Sequence, residues 1–138
     1  MTQALRGLGD TNILIGLERL AADRLPAELV ISAITLAELS AGVHSAGDAA
    51  ERARRIARLQ RVEATFNPLP FDAEAARQYG LLAGEVIAAG RKPRARVADL
   101  MIASVAAANR LPLYTTNADD FRALERVLAV VVVAPPVR

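Results

Sequence analysis

Cysteine is absent from the 138-residue chain, so a disulfide framework, a thiolate nucleophile and zinc–sulfur coordination are all excluded. Nothing in the fold then depends on an oxidising compartment, and a cytoplasmic protein is the expectation. Tryptophan is missing too, and His44 is the one histidine. It lies near a predicted loop and reads as an ordinary surface residue, which leaves little basis for a histidine-rich metal site. The aromatic residues are Phe66, Phe71, Tyr79, Tyr114 and Phe121. Most stand in apolar contexts and offer no platform for stacking single-stranded bases. No apolar run approaches the roughly 20 residues that a membrane-spanning helix requires, the most apolar stretch being residues 127–134. Residues 1–7 carry neither the basic flank nor the apolar stretch of a signal peptide, so no membrane association is expected.

What the chain does have is hydrophobic content, 53% of its residues. That suffices for a single domain over residues 1–138 that buries its own core without staples. Net charge is only +2, yet the basic residues are nearly all arginine and fall in clusters. The first is Arg52, Arg54, Arg55, Arg58 and Arg61; the second is Arg91, Lys92, Arg94 and Arg96. Guanidinium groups pair bidentately with phosphate oxygens. The first cluster has helical spacing and reads as a solvated helix face. The second falls in a predicted loop and is the candidate nucleic-acid contact.

Turn signals alternate with apolar segments in the manner of strand and helix in turn. Residues 5–9 read as a short strand, after which Ile13, Leu14, Leu17, Leu20 and Ala21 recur at helical spacing until Leu25-Pro26. Residues 29–31 predict a second strand, residues 34–43 and 49–65 two helices, and residues 67–70 a connector holding a residue or two of strand. Asp72 is a good N-cap for an amphipathic helix that ends at Gly90. Residues 97–108 predict an alanine-rich helix, 113–115 a strand and 121–128 a short helix. The β-branched run at 129–133 has no polar face, which predicts a strand covered on both sides. Together these imply an α/β fold with a parallel sheet between helices, whose ligand site lies beyond the carboxyl ends of the strands.

Acids stand at or near those ends. Asp10 follows the first strand directly, Glu38 lies one turn into the helix after the second, and Asp120 follows the strand at 113–115. Asp99 is placed differently: its neighbours on the helix, Ile102, Ala103 and Ala106, form the apolar face, so its carboxylate is expected to point inward. A buried charge is unfavourable unless paired or bound to metal. Several carboxylates together suit a hard divalent cation, which polarises a phosphoryl oxygen and makes a water more acidic. Each acid has a structural alternative. Asp10 could cap the first helix, Thr35-x-x-Glu38 has the form of a capping box, and Asp119 with Asp120 could cap the helix at Phe121.

At these residues the sequence resembles the PIN-domain nucleases, and within them the VapC-like toxins of bacterial and archaeal toxin–antitoxin pairs. Asp10-Thr11-Asn12-Ile13-Leu14-Ile15 resembles the opening motif of the family, and Ile34-Thr35-Leu36-Ala37-Glu38-Leu39 the second. Asp99-Leu100-Met101-Ile102-Ala103 is similar to the third, and Thr115-Thr116-Asn117-Ala118-Asp119-Asp120-Phe121 to the fourth. The order and spacing of all four, over nearly the whole chain, make the resemblance specific. It implies a three-layer α/β/α fold with a central, mainly parallel sheet of four to five strands. It also implies a Mg²⁺- or Mn²⁺-dependent endoribonuclease that forms a homodimer and is inhibited by a small antitoxin, whose C-terminal segment covers the acidic pocket.

Carried over residue by residue, the resemblance makes Asp10, Glu38, Asp99 and Asp120 the catalytic acids, with Asp10 and Asp99 as metal contacts. Asp120 is preferred to Asp119 because it immediately precedes Phe121. Thr11, Asn12, Thr116 and Asn117 would orient carboxylates or waters, and Arg91, Lys92, Arg94 and Arg96 would grip RNA phosphates. Two positions depart from the pattern: Gly9, where an apolar residue is usual and where the strand would loosen or bend, and Ala98, where many members have a polar residue. A non-enzymatic partner in a DNA-binding antitoxin complex is the alternative function. A phosphatase using Asp10 as nucleophile is disfavoured, since Asn12 stands where that pattern places a second Asp.

Overall fold

Four strands, every pair of them parallel, form the centre of the computed structural model, which describes residues 5–134. They are β1 (Arg6–Gly9), β2 (Glu28–Val30), β3 (Leu113–Thr115) and β4 (Val130–Val132), in the order β2-β1-β3-β4. The α-helices are α1 (Thr11–Ile15), α2 (Ala33–Val43), α3 (Ala49–Thr65), α4 (Ala73–Ala88) and α5 (Val97–Ala108). From β1 the chain passes to β2 on one side and later returns to β3 on the other, so the order reverses between β1 and β3. That reversal is where parallel sheets open a crevice for ligands.

Side chains alternate across each strand and so build two cores. Leu8, Val30, Leu113 and Val130 face Leu82, Val86, Ile102 and Val105 of α4 and α5. Leu29, Ile31, Tyr114 and Val131 face Ile13 and Leu14 of α1, Leu39 of α2 and Val62 of α3. The sheet therefore lies between two helical layers, as the α/β/α expectation required. The predicted strand fragment in the connector is an isolated parallel bridge between Ser32 and Leu69.

Helix boundaries follow local chemistry. Asp72 caps α4 by accepting from the Ala75 N–H at 3.0 Å, and Gly90, with φ of 77°, takes the left-handed conformation just past its end. The cap of α2 is Ser32, which accepts from the Thr35 N–H; the Thr35-x-x-Glu38 capping box is therefore not formed.

Three expectations need correction. The periodic segment at 13–25 is not one helix: α1 stops at Ile15, and Gly16 leads into 3₁₀ turns at Leu17–Arg19 and Ala22–Arg24. Leu17, Leu20 and Leu25 still pack on the second core, because burying every third or fourth residue does not require an α-helix. Likewise the predicted helix at 121–128 is a 3₁₀ segment, Ala118–Leu124, in which the three-residue repeat puts Phe121 and Leu124 on one buried side. The β-branched run is covered on both faces, Val130 packing on the first core and Val131 with Val133 on the second, although β4 stands at the edge of the four-stranded sheet and Val132 is half exposed.

Gly9 neither loosens nor bends β1, since it stays in register opposite Tyr114. A Cβ there would lie 3.0 Å from Leu29 Cδ1 and 3.3 Å from Leu14 Cδ2, so the neighbours already fill the space of the missing side chain. Gly7 is tighter still, with a Cβ only 2.4 Å from Tyr114 Cε1. Gly7→Ala should lower stability by about 1–3 kcal/mol through overpacking, read as a lower urea midpoint. An unchanged midpoint would show that the Tyr114 ring moves aside freely.

Candidate active site

Asp10 leaves the end of β1 between the sheet and α1, and only 3% of its surface is exposed. Its Oδ1 accepts from the Thr11 N–H at 2.8 Å. Its Oδ2 accepts from Asn12 Nδ2 at 3.1 Å and from the Thr115 hydroxyl at 3.0 Å. The capping role is filled, by the same carboxylate that the resemblance makes a candidate site residue. Its backbone N–H donates to the Tyr114 carbonyl at 2.8 Å, continuing the β1–β3 ladder and fixing where the side chain starts.

Asp99 comes from the first turn of α5 and Asp120 from the 3₁₀ segment after β3. One carboxylate oxygen from each of Asp10, Asp99 and Asp120 lies within 4.8 Å of the others. Asp99 does not point into the core as expected. Ile102, Ala103 and Ala106 are buried, but Asp99 itself is half-buried and its carboxylate shares the crevice with those of Asp10 and Asp120. Glu38 is exposed and lies outside this close group. It accepts a hydrogen bond from the Thr11 hydroxyl, which is itself 3.1 Å from that of Thr35. The doubled aspartate divides cleanly: Asp119 turns away, with Arg122 Nε at 3.4 Å and Arg91 Nη2 at 3.8 Å.

Burial pushes the Asp10 carboxyl up from 3.8 to about 6, with further upward pressure from the charges of Glu38 and Asp120, against the hydrogen bonds from Thr115 and Thr11. Asp99 also rises to about 6, first through burial and then through repulsion by Asp10, Asp120 and Glu38. Part of this repulsion is offset by Arg96, which pairs with Asp120 and places Nη1 3.9 Å from Asp99 Oδ2. The donor set is all oxygen, convergent and short of positive charge, which fits a hard divalent cation.

The supporting residues are partly those expected. Thr11 orients Glu38, and Asn12 links Asp10 to the loop after β3 by accepting from the Thr116 N–H at 3.1 Å. Thr116 contributes that backbone group and no side-chain contact, while Asn117 caps the 3₁₀ segment by accepting from the Asp119 N–H at 3.2 Å. The hydroxyl that reaches Asp10 belongs to Thr115, fully buried at the end of β3. The signal for it was the first threonine of the fourth motif.

The segment with Arg91, Lys92, Arg94 and Arg96 is not an open loop. It contains a 3₁₀ turn, Pro93–Arg96, and its Arg91, Lys92 and Arg96, though not Arg94, line a cleft of about 360 Å³ together with Asp99 and Asp120. Arg96 and Arg91 are committed to the acids just named, whereas Lys92 and Arg94 are exposed and make no ion pair among the described residues.

This architecture and acid arrangement are those of a PIN domain, and the chain belongs to that family: the PIN-domain signature matches residues 8–127. It is 37% identical over 135 residues to Ribonuclease VapC5 of Mycobacterium tuberculosis, spanning 96% of this chain and 97% of that one. It is 34% identical over 125 residues to Ribonuclease VapC4 of the same organism, spanning 88% and 93%. The crystal structure of VapBC-5, a member of the VapBC family of toxin–antitoxin systems from Mycobacterium tuberculosis, superposes with a TM-score of 0.82 at 36% identity, covering 95% of this chain and 99% of that one. Among the described residues no helix is long and apolar enough to cross a membrane.

Proposed function

We propose that this chain, folded as a single PIN domain, is the endoribonuclease toxin of a VapBC-type toxin–antitoxin pair. The observation that carries the reading is the convergence of Asp10, Asp99 and Asp120 to within 4.8 Å at the crevice where the strand order reverses. Carboxylates brought so close together repel one another, and a divalent cation is the partner that their chemistry favours. The relatives, named as ribonucleases, supply the substrate class.

In this reading Asp10 and Asp99 hold Mg²⁺ or Mn²⁺, and Asp120 and Glu38 complete the acidic set. The cation supplies neutralisation of phosphoryl charge and a more acidic water for hydrolysis of the phosphodiester. The residues of the chain do the positioning. Thr115 and Asn12 hold the Asp10 carboxylate in one orientation, so its ligand direction is set before anything binds. Thr11 holds Glu38 at the solvent side, where its carboxylate is available to take a proton from the attacking water. Arg96 neutralises Asp120, and Lys92 and Arg94 offer free cationic groups to the RNA backbone. A small cognate antitoxin covers the acidic cleft, and the toxin works as a homodimer; the toxin–antitoxin identity of the VapBC-5 structure supports an antitoxin partner.

Cleavage of a mixed structured and unstructured RNA pool by antitoxin-free protein should require Mg²⁺ or Mn²⁺ and stop in EDTA. At limiting metal the rate should climb as the pH rises through about 6, where Asp10 and Asp99 lose their protons and so become ligands. Cutting that persists in EDTA would overturn the metal-dependent reading.

A further inference from the structure

We infer that Arg58 forms a second phosphate subsite, which holds the RNA strand on the α2–α3 side of the acid cluster. The inference rests on the ribonuclease reading and adds a residue that the first arginine cluster, taken as a solvated helix face, did not single out. Two clefts flank the acids. One, on the side of the 3₁₀ turn at Pro93–Arg96, is lined by Asp99 and Asp120. The other, about 220 Å³, is lined by Thr11 and Glu38 together with Glu51, Arg55 and Arg58. Its lining combines these polar groups with Ile15 and Leu39, it reaches the acidic set at Glu38, and it is large enough for a sugar–phosphate unit.

The arginines of α3 are not equivalent. Arg54 and Arg55 both bind Glu51, at 2.7 and 2.8 Å, and Arg55 also donates to the Gly42 carbonyl at 2.7 Å. Those guanidinium groups already have their acceptors. Arg58 lies three residues beyond Arg55 and four before the buried Val62, so it shares the inward face of the helix. It is half-buried and makes neither ion pair nor hydrogen bond among the described residues. The carboxylates of the cleft are engaged elsewhere, Glu51 by Arg54 and Arg55 and Glu38 by Thr11, and a guanidinium fork left unpaired beside them is matched chemically by a phosphate, which accepts two parallel N–H bonds. An RNA whose scissile phosphate sits on the acids must extend away from them, and the cleft beside Thr11 and Glu38 offers one exit with a free cation in it.

A peptide segment is the weaker occupant. The apolar surface that such a segment would seek, Leu14, Leu17, Val62 and Phe66, lies in a second cleft that Arg58 also borders, together with Glu18 and Arg61.

The test uses the full chain and a fluorescent, mixed-sequence single-stranded RNA oligonucleotide. Binding is measured in the Asp10→Ala background, so that no cleavage intervenes, with and without Arg58→Gln, from about 50 to 200 mM salt. Arg58→Gln should weaken binding about five- to tenfold at the low-salt end and lower the slope of log K against log salt by about 0.7, one released counterion on a single strand. Arg58→Lys should restore the slope but not the full affinity, since it keeps the charge and loses the fork. Arg52→Gln, on the exposed face of the same helix, should change both quantities far less. In otherwise wild-type protein, Arg58→Gln should raise KM and leave kcat in place. Equal losses for Arg52→Gln and Arg58→Gln, or an unaltered slope for the latter, would overturn the subsite. If wild type cuts no RNA under any metal condition, the ribonuclease reading fails on that result, and the binding comparison still decides the fate of Arg58.

Discussion

Asp10→Ala should reduce RNA cleavage by about a thousandfold or more, a loss of about 4 kcal/mol of transition-state stabilisation, while the protein stays folded. Of the close carboxylates, Asp10 is the one held by hydrogen bonds to both oxygens, from Thr11, Asn12 and Thr115. No neighbour can replace it. Glu38 is tied to Thr11 at the solvent side, and Asp119 faces Arg122 and Arg91. The effect on stability should be small because opposing contributions meet. The N-cap of α1 is lost, about 1 kcal/mol, and the Asn12 and Thr115 groups lose an acceptor. Against this, a carboxylate that burial holds at a pKa of about 6 no longer has to be ionised inside the fold at neutral pH. The check is the cleavage rate beside a urea denaturation curve of the same preparation. A wild-type rate in a folded variant would mean that the acids are structural, and that the protein acts by binding.

The site was legible in the sequence because its acids are anchored to features that the sequence writes locally. Asp10 directly follows an apolar strand, Asp99 opens an alanine-rich apolar helix, and Asp120 precedes Phe121, a residue 1% exposed that pins the segment to the core. What escaped depends on distance through space. A threonine at a strand end is ordinary on propensity grounds, so the place of Thr115 at the head of the fourth motif did not record that its hydroxyl would meet a carboxylate 105 residues earlier in the chain. Arg96 sits in a basic run, where nothing local separates an arginine facing solvent from one folded back on Asp120. Arg58, half-buried, is set apart from Arg54 and Arg55 by being unpaired among the described residues, whereas those two share Glu51. The same holds for the fold: Phe121 and Leu124 satisfy an α-helical and a 3₁₀ repeat equally, and a run of valines does not record that β4 has no neighbour beyond it.

Asp99→Asn should act in opposite directions on activity and on stability. Cleavage should fall by about the same thousandfold as for Asp10→Ala, since an amide is a poor ligand for a hard cation. The metal-free fold, however, should gain. In the folded chain Asp99 has a pKa of about 6 against an ordinary value of 3.8, so between those values the native state binds more protons than the unfolded one. Stability of the metal-free protein therefore falls as pH rises through that window and stays low above it. Asn has no such dependence. The gain at about pH 7.5 should be on the order of 1–2 kcal/mol, less than the full shift implies, because the group is only half-buried and its neighbour Arg96 already offsets part of the repulsion. Near pH 4 the advantage should vanish, because Asp99 is then protonated in the folded chain. Saturating Mg²⁺ should reverse the order at neutral pH. A cation at about a hundred times its Kd stabilises wild type by about 2.7 kcal/mol, and the variant receives little of it. Thermal denaturation of both proteins, in EDTA at the two pH values and again with Mg²⁺, reads each of these signs separately. If the variant is no more stable than wild type in EDTA at about pH 7.5, then Arg96 alone is enough to neutralise the cluster. The argument that the close carboxylates call for a divalent cation would then lose its electrostatic support.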